Sequence, residues 1–209
     1  YEAEFIRIRT PLDRGIVQVN GNAGALPRDR YLGDPSRDNL HVNGDTHQFT
    51  LDHDLGQGWR TRLGASYRET DLYGEAVDLT GTLQADGRTL TRRDSWRSLP
   101  ARDTSVQAEV EGKLQTGGLR HTVLAGVESW RLFMGQDIRY STLASQPFAI
   151  DIHTPTYGQA PGNLTPGFDT RDRQRATGLF VQDQMDLSER WKLLAGVRFD
   201  RYHQDYENR

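Results

Sequence analysis

Apolar and polar residues alternate with a period of two along most of this chain, and that period constrains the fold more than any other feature. From Gln48 the odd positions read Phe49, Leu51, His53 and Leu55, and the even ones Gln48, Thr50, Asp52 and Asp54. After the glycine-rich turn Gly56-Gln57-Gly58, odd Trp59, Thr61, Leu63, Ala65 and Tyr67 alternate with Arg60, Arg62, Gly64, Ser66 and Arg68. Val106, Ala108, Val110 and Leu114 alternate with Gln107, Glu109, Glu111 and Lys113. Trp191, Leu193, Ala195, Val197 and Phe199 do so with Lys192, Leu194, Gly196, Arg198 and Asp200. Successive side chains of a strand point to opposite sheet faces, so the pattern specifies strands with one apolar and one polar face. A helix fails, because a spacing of two spreads apolar groups around its circumference. Gly64, Gly112, Gly126 and Gly196 also interrupt the segments.

An internal repeat adds a length scale. Trp59, Gly64 and Tyr67 recur with the same spacing as Trp191, Gly196 and Phe199, and Leu124-Ala125-Gly126-Val127 matches Leu194-Ala195-Gly196-Val197. At roughly 3.3 Å per residue the paired aromatics stand about 26 Å apart along a strand. That nearly matches the apolar band of about 25 Å, with its aromatic girdles, in outer-membrane barrels. Trp59, Tyr67, Trp191 and Phe199 are the girdle candidates.

Connections alternate between short (Gly56–Gly58, Thr116–Gly118, Ser188–Arg190) and long (about Pro11–Gly44, Gly74–Arg88 and Tyr140–Asp172). Pro11, Pro27, Pro35, Pro147, Pro155, Pro161 and Pro166 fall in the first and last of the long ones, and only Pro100 falls in a predicted strand. Short turns at one end and long loops at the other are the habit of transmembrane barrels, turns periplasmic and loops extracellular. The expected fold is all-β, an antiparallel meander of about seven strands centred near Phe5, Leu51, Leu63, Val110, Ala125, Val181 and Val197. An odd number with both ends in strands cannot close a bacterial barrel. Residues 1–209 are therefore expected to be a partial barrel domain, a piece of a longer chain.

Composition removes whole classes of function. The formal net charge is −3, the signs are interspersed as in Arg60, Arg62, Arg68 and Glu69, and no basic patch suits a nucleic acid. Absence of cysteine excludes disulfide frameworks and thiol chemistry. The longest apolar run, around Val123–Val127, is far short of the roughly 20 residues of a membrane helix. His41, His47 and His53 are six apart, about 20 Å on a strand, too far for neighbours to share a metal ion. Asp52 and Asp54 share a face beside a turn with no implied cleft. No nucleophile elbow, phosphate loop or zinc-protease motif occurs, and no enzyme activity or resident cofactor is expected.

On the polar faces, Arg60 and Arg62 start one strand and Glu109 and Glu111 end the next, so a hairpin sets opposite charges across from each other. With Arg198 they are expected to line a water-filled or plugged interior; solvated charges on a sheet surface require the same residues. The long loops carry Arg28, Arg30 and Tyr31, then Tyr140, His153, Tyr157 and Phe168, groups suited to stacking and charge pairing with a ligand.

The segment Leu179-Phe-Val-Gln-Asp-Gln-Met-Asp-Leu-Ser-Glu-Arg-Trp-Lys-Leu-Leu-Ala-Gly-Val-Arg-Phe-Asp-Arg-Tyr202 resembles a recurring barrel segment of TonB-dependent siderophore receptors. There a strand ending in Val-Gln-Asp-Gln leads through a short turn to Trp and then Gly-x-Arg-x-Asp. Asp13-Arg14-Gly15, followed by Pro27-Arg28-Asp29-Arg30-Tyr31-Leu32-Gly33-Asp34-Pro35, looks like a loop of the ferric-hydroxamate and related branches. The resemblance implies a barrel of about 22 strands with a plugged lumen, in the bacterial outer membrane. It also implies a ferric siderophore as ligand, membrane lipid outside, a plug domain inside, and energy arriving through TonB. Iron enters only as part of the ligand. Two rivals stay open: a passive porin or adhesin barrel, and a soluble β-sandwich that binds carbohydrate.

Overall fold

The computed structural model describes residues 1–141 and 148–209; Pro147 lies outside them. Regular structure among the described residues is entirely β: β1 (Glu2–Thr10), β2 (Asn39–Gly56), β3 (Trp59–Leu83), β4 (Thr89–Thr116), β5 (Leu119–Ser141), β6 (Ile150–Asp151), β7 (Leu164–Asp186) and β8 (Lys192–Asn208). The seven long strands form one antiparallel sheet in the order β1-β2-β3-β4-β5-β7-β8, and the two-residue β6 pairs with β4.

The register carries the alternation across the whole sheet. Leu51, Leu63, Ala108, Val127, Leu179 and Phe199 are successive cross-strand partners and make one row of the apolar face. One residue along, Asp52, Arg62, Glu109, Gly126, Phe180 and Arg198 make a row of the polar face. No other described residue covers the apolar face of the lower wall, where Leu179 is 57% and Phe199 69% exposed. Gly112 admits the indole of Trp59, which lies across it where a Cβ would stand.

The strands run further than the alternation alone predicted. β3 has 25 residues and β4 has 28, each about 80 Å or more at roughly 3.3 Å per residue, some three times the apolar band. The expected loop Gly74–Arg88 is thus mostly strand, because β3 continues to Leu83 and β4 starts at Thr89. The first long connection ends at Asp38 rather than Gly44, and the last ends before Leu164, which places Tyr140, Pro166 and Phe168 in strands. Polar and glycine-rich residues hid these extensions, since cross-strand pairing needs no apolar face. Pro166 is accommodated where the β5–β7 register shifts, between Ile138 and Arg139. Trp191 sits in the turn before β8, its carbonyl accepting from the Leu187 and Ser188 amides.

The molecule's core lies at the long-loop end. Leu26 and Leu32 of the first loop pack with Leu90, Ile150 and Ile152, and Ile16, Val17, Val19, Leu79 and Leu83 lean on them. Residues 77, 79 and 83 of β3, and 90, 92 and 94 of β4, continue the apolar face by unbroken alternation up to Leu79, so the loops cover the face that is bare lower down.

Candidate functional site

Two side-chain clusters occupy the long-loop end, one on each face of the β3–β4 hairpin. On the covered face, Arg92 is fully buried, and its hydrogen bonds go to backbone carbonyls while the carboxylates of Asp34 and Asp38 act on it only through space. Its Nε donates to the Phe148 carbonyl at 2.9 Å, and its Nη1 to the Leu32 and Gly33 carbonyls at 3.2 and 2.7 Å. The guanidinium also stacks on the Phe148 ring, 4.6 Å from its centroid. Burial holds its pKa below the usual arginine range. Arg92 therefore ties the first loop, β4 and the segment before β6 into one body.

Three aspartates complete that body. Asp38 accepts from the Tyr31 hydroxyl and from the amides of Asp34 (2.7 Å) and Val77 (2.6 Å). Gly33 makes this approach possible, since a Cβ there would overlap the Asp38 carboxylate and the Tyr31 ring. Asp34 accepts from Ser36 and, at 2.9 Å, from the Gly158 amide of the last loop. Asp94 is 1% exposed and meets Arg37 at 3.2 Å, and burial pushes its carboxyl up to about 6. Burial, and then the bond to Asp38, raises the Tyr31 hydroxyl.

On the other face, which carries the polar row farther down, three guanidiniums converge on one carboxylate. Asp78 meets Arg14 at 2.7 Å, Arg97 at 3.4 Å and Arg93 at 3.9 Å. Arg97 also donates to Ser95 Oγ at 2.7 Å. The Nε atoms of Arg93 and Arg97 are buried without a hydrogen-bond partner among the described residues. Arg93 stacks on Tyr140, 3.8 Å from the ring centroid, and Phe168 meets Tyr140 edge-on at 6.4 Å. Phe168 stays 51% exposed. The cluster has cationic excess, donors in planar forks and an open aromatic ledge, a combination suited to a flat, oxygen-rich anion.

The structure treats the predicted loop residues unequally. Tyr140 and Phe168 join the arginine cluster, although from strands. Tyr31 and Tyr157 come together, with the Tyr157 hydroxyl donating to the Tyr31 carbonyl at 2.8 Å, but their hydroxyls are thereby committed to the protein. Arg30 is half-buried nearby; Arg28 and His153 are exposed and apart from both clusters. Among the sheet charges, Arg60 pairs with Glu111 at 2.9 Å, while Arg62 turns to Asp52 at 2.7 Å rather than to Glu109 opposite it. Arg198 pairs with Glu128 and Asp200. Sequence reasoning missed Arg14, Asp78, Arg93 and Arg97. The signal that points to Asp78, Arg93 and Arg97 is the continuation of the alternation through Val77 and Leu79.

A family model described as "TonB dependent receptor-like, beta-barrel" matches residues 2–209. The chain is 39% identical over 208 residues to the metal-pseudopaline receptor of Pseudomonas aeruginosa, covering 98% of this chain and 29% of that protein. It is 25% identical over 195 residues to the ferrioxamine B receptor of Salmonella typhimurium, covering 91% and 26%. The chain thus spans less than a third of these curated relatives. Among solved structures, the siderophore receptor PiuA from Acinetobacter baumannii superposes with a TM-score of 0.80 at 16% identity, over 99% of this chain and 33% of that one. The ferric-catecholate import receptor Fiu from E. coli K12 does so with 0.78 at 18% identity, over 99% and 35%. The chain belongs to the TonB-dependent receptor-like β-barrel family, and is a stretch of outer-membrane barrel wall from a family of receptors rather than enzymes.

Proposed function

We propose that this chain forms wall and extracellular mouth of a receptor that binds a ferric siderophore and imports it with energy relayed by TonB through a plug domain of the same full-length protein. The observation that carries the reading is the convergence of Arg14, Arg93 and Arg97 on Asp78, beside Tyr140 and Phe168. A ferric siderophore wraps its metal in oxygen donors, and forked guanidiniums with an aromatic ledge are suited to such a surface. The cluster shares its face with Arg60, Arg62, Glu109, Glu111 and Arg198, which in this reading line the lumen and meet the plug. The opposite face meets lipid, with Trp59, Tyr67, Trp191 and Phe199 near its two edges. Iron comes only with the ligand, and the protein holds no cofactor of its own.

The test is binding of ferrioxamine B and of a ferric catecholate by the full-length receptor and its Arg93→Gln/Arg97→Gln variant. The expected result is a loss of affinity of tenfold or more for whichever probe the parent binds, with folding unchanged. Equal binding by parent and variant overturns this site. A second reading is favoured by the 39% identical relative, which is named for metal-pseudopaline: the chelated metal is then not iron alone. Uptake of radioactive zinc that competes with iron chelate would support it, and strict iron dependence would exclude it.

A further inference from the structure

A second cationic feature lies on the apolar face, immediately above the apolar band. Arg131 on β5 stands directly opposite Arg175 on β7, which stands directly opposite His203 on β8. Arg201 follows one position lower on the same face, opposite Thr177. These positions succeed Val123, Ala125 and Val127 on β5, Val181 and Leu179 on β7, and Val197 and Phe199 on β8. The row thus starts where the lipid-facing band ends, on the side of the long loops.

Like charges directly opposite in an antiparallel pair repel, their Cβ atoms lying only about 4.5–5.5 Å apart. Most arginines of this chain answer that problem with a carboxylate or carbonyl; nearby, Arg102 pairs with Glu69 at 2.8 Å and Arg173 with Glu207 at 3.7 Å. Arg131, Arg175 and Arg201 are exposed and form no hydrogen bond or ion pair with another described residue. His203 leans on Asp205 at 3.1 Å. Two shallow grooves, about 650 and 530 Å³, flank the row and share Arg131, Arg175 and His203 among their lining residues. Three unanswered guanidiniums at one level of a membrane-facing surface call for an external anion.

We propose that Arg131, Arg175 and Arg201 form a binding site for the phosphate groups of an anionic lipid in the outer leaflet. Guanidinium forks match phosphate oxygens two at a time, and the band just below accepts the acyl chains. The phosphates would sit between the arginines and remove the repulsion along the row. The site faces away from the lumen, so it is separate from ligand uptake and stands whether or not that reading holds.

The experiment is native mass spectrometry of the full-length receptor in uncharged detergent, titrated with bisphosphorylated lipid A, with the same lipid stripped of phosphate, and with inorganic pyrophosphate. The phosphorylated lipid should remain bound to the parent and bind at least tenfold more weakly to the Arg131→Gln/Arg175→Gln/Arg201→Gln variant. The single variant Arg175→Gln guards against misfolding and carries an opposed signature. Without lipid its barrel should melt higher than the parent, because the central repulsion is gone; with phosphorylated lipid it should melt lower. Equal lipid binding by variant and parent, or equal binding of the stripped lipid, overturns the proposal. Displacement of the lipid by pyrophosphate at equal concentration would assign the site to a free anion and overturn the membrane source.

Discussion

The two ends of the β3–β4 hairpin share one alternation and one sheet, yet the same face is covered by different materials. Near the short turns Leu63 is 42% and Val106 52% exposed, on the face that the proposed function turns toward lipid. Near the long loops Val77, Leu90 and Arg92 are fully buried under residues 26–34 and 148–152. Lipid covers a surface without shape matching and tolerates almost nothing polar. Polypeptide covers it by close packing, and can therefore bury an arginine and an aspartate, provided that carbonyls and Arg37 answer them. One strand pair thus serves two solvents.

The largest effect that tests this contrast is a matched truncation. Leu32→Ala should cost about 2–5 kcal/mol of local stability, because the closely packed loop body leaves a cavity. Amide exchange over residues 11–38 would report it. Leu179→Ala, in the wall, should cost well under half as much, since acyl chains fill the space. Equal losses would mean that the wall also packs against protein. The converse change is Ala195→Arg, on the same face midway between Trp191 and Phe199, expected to cost roughly 2–4 kcal/mol near the bilayer midplane. Folding into vesicles would show it, with the loop amides left as protected as before.

Next in size is a pH effect confined to the loop body. Burial pushes Asp94 up to about 6, above its unfolded value. The folded loop therefore holds that proton more tightly, and closure over Asp94 is favoured below about pH 4 and weakens as pH rises through 6. Asp94→Asn should remove this slope, protecting the loop at pH 8 by roughly 1–3 kcal/mol over the parent and matching it at pH 4. Exchange rates that fall in parallel in both proteins from pH 8 to 4, after correction for intrinsic exchange, would assign the slope to another group.

The wall was legible in the sequence because its two faces differ in chemistry at every step: Phe49, Leu51, Leu63, Val197 and Phe199 against Asp52, Arg60, Arg62 and Arg198. The loop body was not. Leu79, Arg92 and Asp94 share a buried face, and a charge at two buried positions erases the period that revealed the lower strands. The arginine cluster was hidden for a related reason. Asp78 and Arg93 meet by cross-strand register, while Arg14 arrives from a loop 64 residues away in sequence, which no local pattern encodes. Tyr140 and Phe168 were found as residue types suited to a ligand; their place in strands, beside Arg93, follows from pairing alone.

The smallest effect concerns the polar face of the wall, and decides what covers that face. Arg60 meets Glu111 at 2.9 Å, with 65% of the arginine side chain and 29% of the glutamate side chain exposed. A solvated pair of this kind adds little and is screened by salt. Arg60→Gln should accordingly shift barrel melting less than any change above, and in about 1 M salt the variant and parent should coincide, since the screening length there is only about 3 Å. The outcome is informative in the full-length receptor. A deficit that persists undiminished in high salt would mean that ions do not reach the pair, so protein encloses it. The polar face of the lower wall would then be covered by polypeptide, as the apolar face of the upper hairpin is, and the lumen beside Arg60 would be filled rather than open to water.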